Sequence, residues 1–237
     1  MEESGGSRAP GRVPMARTSL VRWRRAVALL AAVAIGACGG GGSTAPAPVT
    51  KSIIADSNQS GWIWSGPTVP ARVTFGDPHV GDLDADYQLP LGLRTVLGFN
   101  LATVPAGSHI TGAILDLTLC GSVGSPIAKL GNVVVDHVTF SPPLDSLPNR
   151  GGTLTSDIGT IASDVNYGHR FLDVTSSVAS DLVAARSSSQ YRLRMANKDF
   201  NDDSVNDFVL FGADSSESGS CPYQASTVPR LTVTYTP

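Results

Sequence analysis

For residues 51–237 the sequence predicts an all-β domain, a two-sheet antiparallel β-sandwich of jelly-roll type with one short helix. Three features carry that expectation. In RTVLGFNLATVPAGSHITGAILDLTL, residues 94–119, apolar side chains alternate, stop at a turn and then alternate again. Four later runs, VVVDHVTF, YRLRMA, DFVLFGAD and LTVTYTP, are short, rich in β-branched and aromatic residues, and bounded by Gly, Pro, Asp and Ser. Helical spacing is confined to one segment, DVTSSVASDLVAAR.

Each element follows from its own pattern. Leu97, Phe99 and Leu101 share one parity, and Leu115, Leu117 and Leu119 share another beyond the turn. Period-two alternation puts such residues on one face of a strand, and Pro105 with Gly107 supplies the turn between the two strands. Tyr191, Leu193 and Met195 face one way while Arg192 and Arg194 face the other, and Leu231, Val233 and Tyr235 close the chain in the same manner. Val178 and Leu182 stand four apart, one helical turn, with Ser or Thr available as N-cap. Many short strands and one helix make a layered β domain. At 187 residues, 51–237 suffice for one core, and no internal repeat divides them.

Residues 1–37 read as an export signal. Arg17, Arg22, Arg24 and Arg25 precede the ten-residue apolar run AVALLAAVAI, followed by small residues. A membrane-spanning helix needs about 20 apolar residues, so the run is too short to be one. Ile35-Gly36-Ala37-Cys38 resembles the lipobox of bacterial lipoproteins, which implies lipidation of Cys38, a cell-envelope location and membrane attachment through the N-terminal lipid. Gly39, where retained lipoproteins carry aspartate, resembles those sent to the outer membrane. The alternative is an ordinary secreted protein. Residues 38–50 contain GGGGSTAPAP, a glycine run stiffened by prolines, suited to a tether. Without residues 1–37 the chain holds 11 basic and 18 acidic residues, a formal charge of −7. That argues against a nucleic-acid partner, which selects basic patches.

The order of motifs across roughly residues 50–237 resembles the DNRLRE-domain family, also classed as carbohydrate-binding module family 96. Carrying the resemblance are Arg94, the Leu97 to Leu101 strand, Val104-Pro105-Ala106-Gly107, Ile110 to Leu119, Asp173-Val174-Thr175 with Val178, and Pro229-Arg230-Leu231 to Tyr235. SGWIWSG near the N-terminal strand and GADSSESGSCPYQAST before the last strand depart from it. The resemblance implies a sandwich that binds polysaccharide without catalysis. Family ligands include acidic polysaccharides, which the negative charge of this chain disfavours unless Arg192 and Arg194 supply a local patch.

Several residues are candidates for that role. Trp62 and Trp64, two apart on one strand, point to the same side: exposed, they would form a platform for the apolar face of a sugar, and buried, they would fill the core. Tyr87, Tyr167 and Tyr223 are loop candidates of the same kind. Asp82, Asp84 and Asp86, and Asp199, Asn201 and Asp203, place oxygens at alternate positions, as a structural calcium site requires, although solvated acidic loops have the same composition. Cys120 and Cys221 pair as a disulfide in an exported domain or remain buried thiols. Closing so long a loop is worth about 4–5 kcal/mol in the chain-entropy model. No nucleophile elbow, zinc-ligand spacing or paired-carboxylate signature appears, and His79, His109, His137 and His169 stand apart in sequence, so the reading is non-enzymatic. A structural or adhesive module, and a polysaccharide lyase or glycoside hydrolase, are the alternatives.

Overall fold

The computed structural model describes residues 46–66, 71–83, 91–144, 152–201, 203–213 and 227–237. Residues 44–237 cluster as one compact unit. The strands among the described residues are β1 (Val49–Ile54), β2 (Gly61–Ser65), β3 (Arg72–Thr74), β4 (His79–Asp82), β5 (Gly92–Asn100) and β6 (His109–Val123). They continue as β7 (Val133–Thr139), β8 (Gly152–Ala162), β9 (Gly168–Asp173), β10 (Ser188–Met195), β11 (Asp207–Phe211) and β12 (Arg230–Thr236). Two helices are inserted, α1 (Pro126–Leu130) and α2 (Thr175–Val183). None of the described helices is long and apolar enough to cross a membrane.

The all-β expectation holds, and the pairings are antiparallel throughout. One hydrogen-bonded path runs β1-β12-β6-β11-β4-β5-β10-β7-β8, with β2 and β3 branching from β5 and β9 from β6. The sheet curls until its ends share a core. Leu115 and Leu117 of β6 and Leu231 and Val233 of β12 lie in the same buried cluster as Leu97 and Phe99 of β5, Tyr191 and Leu193 of β10, and Val133 and Val135 of β7. These are the alternating residues the sequence marks, since burying every second side chain is what drives a strand onto a core. A smaller cluster of Ile63, Val96 and Leu144 lies apart from it.

The turn at Gly107 takes φ 83°, a left-handed conformation that costs glycine little. At Gly81, φ is 142° and an added Cβ would stand 2.1 Å from the Asp207 carbonyl oxygen, so the close approach of β4 and β11 requires glycine.

The helix content differs from the expectation of one. Pro126 starts the five-residue α1 with its φ already set, and no apolar period can show in so short a segment. The N-cap of α2 is Val174 rather than Ser or Thr. Asp173 does the capping from one residue earlier, its Oδ1 accepting from the Thr175 amide at 2.9 Å and the Thr175 hydroxyl at 2.6 Å. Those bonds hold the Asp173 carboxyl below the usual carboxylate range.

Candidate ligand-binding face and neighbouring clusters

The register of β1, β12, β6 and β9 places a row of side chains on the face away from the core. Ile54 is opposite Arg230, Arg230 opposite Asp116, and Asp116 opposite Phe171. A second row runs Ser52, Thr232, Ile114 and Asp173. Thr50 and Thr234 follow, their hydroxyls 3.0 Å apart. Four strands thus present hydroxyls, two carboxylates and a guanidinium on one pleated surface.

The β9 edge of this face is aromatic. Phe171 is 63 % exposed, and its ring lies 5.8 Å from that of His169 with only 5° between their planes. The His169 ring is fixed by Asp116, whose Oδ1 is 2.8 Å from Nδ1. Tyr167, just before the strand, is 62 % exposed. Leu172, of the opposite parity, packs on the core. The sequence reading took the histidines singly and passed over Phe171. The signal in GHRFLD is a large aromatic on the same parity as His169 and Asp173, the parity that does not face the core.

Trp62 and Trp64 do share a side of β2, opposite the buried Ile63, but both are half-buried. The Trp62 ring lies 4.8 Å from His79, which lies 5.3 Å from Phe208, and the Arg72 guanidinium is 5.3 Å over Trp64. His79 Nδ1 donates to the Asp77 carbonyl at 2.6 Å, and burial lowers its imidazole below the ordinary range. The tryptophans therefore pack into a tilted aromatic cluster instead of forming one flat plate.

Arg192 and Arg194 converge on the fully buried Asp136. Arg192 donates from Nε at 3.0 Å and Nη2 at 2.7 Å, and Arg194 from Nε at 3.0 Å, while the Asp157 amide adds a bond at 2.9 Å. Burial pushes the Asp136 carboxyl up, but Arg194, the Asp157 amide and Arg192 outweigh it and hold it below the usual range. Arg94, on Asp199, and Lys198 join these two arginines around a basin of about 270 Å³.

Asp82 of the first aspartate cluster meets the segment that carries the second. Asp82 accepts from the Asn201 amide at 3.1 Å and the Asp207 amide at 2.8 Å. Lys129 of α1 places its ammonium 2.7 Å from Asp203 and 2.9 Å from Asp207, which raises its pKa. Asp199 turns away to Arg94. Of the residues the sequence offered to calcium, Asp203 thus pairs with Lys129, and among the described residues no group of three His, Cys, Asp or Glu side chains is arranged to hold a metal.

Cys120, near the end of β6, is half-buried. Cys38, Asp84, Asp86, Tyr87, Cys221 and Tyr223 lie outside the described residues. In comparison with known proteins, the chain matches no family model and no curated protein.

Proposed function

We propose that the protein is a non-catalytic, lipid-anchored module of the bacterial cell envelope that binds neutral polysaccharide on the outer face of β1, β12, β6 and β9. Its curled sheet is read as a two-layer, jelly-roll-like sandwich of the DNRLRE type, with Cys38 as the lipid-bearing residue and Cys221 as the partner of Cys120. The observation that carries the binding reading is the stacked Phe171 and His169 pair, with Phe171 exposed, beside a hydroxyl-bearing surface. A sugar ring has one face of C–H groups and an edge of hydroxyls. The first packs on an aromatic plane, where large apolar area is buried at low entropy cost. The second meets Asp116, Arg230 and the threonines.

The formal charge of −7 favours neutral over acidic chains. Asp116 and Asp173, on the face itself, act in the same direction. The Arg192 and Arg194 donors are largely spent on Asp136.

Affinity electrophoresis of the full-length protein in detergent, against neutral and acidic polysaccharides, tests the reading. At least one neutral polysaccharide should retard the protein. Phe171→Ala should abolish that retardation, a loss of about tenfold or more in affinity, while Trp64→Ala should retain it. Retardation by none of the polysaccharides would favour a purely structural envelope module. Release of reducing ends would make the protein an enzyme.

A further inference from the structure

A cleft of about 560 Å³ opens between α2 and β8, within the range of about 300–1,000 Å³ typical of small-molecule sites. Leu154 and Ile158 of β8 form one wall, and Ser176, Ser177 and Ser180 of α2 form the other. His137, from β7, closes the floor.

Hydrogen bonds tie the floor together. Asp181, fully buried, has both carboxylate oxygens 3.0 Å from His137 Nε2 and accepts from Arg186 Nη1 at 3.0 Å. The His137 ring and the Arg186 guanidinium are therefore held in place before anything binds. Ser177 is 7 % exposed and lines the cleft, yet its hydroxyl has no partner among the described residues. The hydroxyl meets solvent in the cleft, so it is open to a hydrogen bond from a ligand there.

The chemistry selects the class of occupant. An anion would look to the first amides of α2, but Asp173 has already capped that end and would repel it. An apolar molecule would strand the serine hydroxyls. A polyhydroxylated ring satisfies both walls, with C–H groups against Leu154 and Ile158 and hydroxyls toward Ser177, Ser180, Arg186 and the second oxygen of Asp173. We infer that this cleft is a second ligand site, for a neutral sugar residue, distinct from the aromatic face. Its walls are β8 and α2, whereas the Phe171 pair lies on β9, and Asp173 alone belongs to both.

The test is a titration of the full-length protein with glucose, galactose, mannose, N-acetylglucosamine and their disaccharides, followed by the nuclear magnetic resonance shifts of the His137 ring and Ser177 amide. At least one probe should give saturating shifts at both. Ser180→Trp, which fills the cleft from its exposed wall, should remove them. Ser177→Ala should weaken them about three- to tenfold, the worth of one hydrogen bond, and Phe171→Ala should leave them unchanged. Absence of saturation with every probe, or an unaltered response in both serine variants, would overturn the inference. If Phe171→Ala alone removes the response, the sugar lies on the sheet face, and the cleft inference fails while the polysaccharide reading stands.

Discussion

Asp77 carries a cost that its surroundings offset only in part. It is 3 % exposed, neither carboxylate oxygen has a partner of good hydrogen-bond geometry, and only the Ala213 amide favours its charged form. Burial raises its pKa from 3.8 to about 6. Between those values the folded protein holds a proton that the unfolded chain has released, so stability falls as pH rises through this window. The loss amounts to about 2–3 kcal/mol at most. Urea midpoints measured from pH 4 to pH 7 should show it, and Asp77→Asn should flatten that part of the profile. An identical profile in the variant would contradict the assignment. Asp136 behaves in the opposite way, because two arginines and an amide favour its charged form. Asp136→Ala leaves two partly buried guanidiniums without a counter-charge and should cost about 3–5 kcal/mol in chemical denaturation. A loss below about 1 kcal/mol would mean that solvent screens the triad.

At the scale of elements, β5, β6, β10 and β12 were legible because apolar residues alternate along each, although β5 buries both of its faces in the fold. VVVDHVTF was legible as a strand for a different reason, its β-branched run. Elements without a repeating apolar signal were not. β8 begins with six exposed residues, GTLTSD, and is held by pairing to β7 across three register shifts, information that resides in the partner strand. α1 is too short to display a period. β9 matters most, since its outward aromatic looks in sequence like an ordinary core residue, and only the register opposite Asp116 shows that Phe171 faces solvent. The helix start was legible as DVT, but the capping role falls to its aspartate. Asp173→Ala should destabilise the protein by about 1 kcal/mol. The same substitution should reduce the protection of the Thr175 amide against hydrogen exchange, and unchanged protection there would exclude the cap.

Across the whole molecule, the curl of one long sheet brings distant segments together, and composition could not place them. Asp82 and the acidic run that holds Asn201, Asp203 and Asp207, more than a hundred residues apart in sequence, meet because β4 and β11 are neighbours. Lys129 then joins them from α1, a contact that no local spacing encodes. For this reason the acidic loops suggested a cation in sequence, whereas in the fold an ammonium pairs with Asp203 of the second loop and with Asp207. If Lys129 serves as that counter-charge, Lys129→Met should destabilise the protein in urea, and calcium should leave the wild-type midpoint unchanged. A rise in the midpoint with calcium would support the metal reading. For the proposed disulfide, non-reducing peptide mapping should recover Cys120 linked to Cys221. The measurement that bears most directly on function is a backbone amide shift map of the protein, titrated with a soluble fragment of the neutral polysaccharide that retards it. Shifts concentrated on β9, β6 and β12 around Phe171 and Asp116 are the predicted result. Shifts concentrated around Trp62 and Trp64, or none that saturate, would contradict the account.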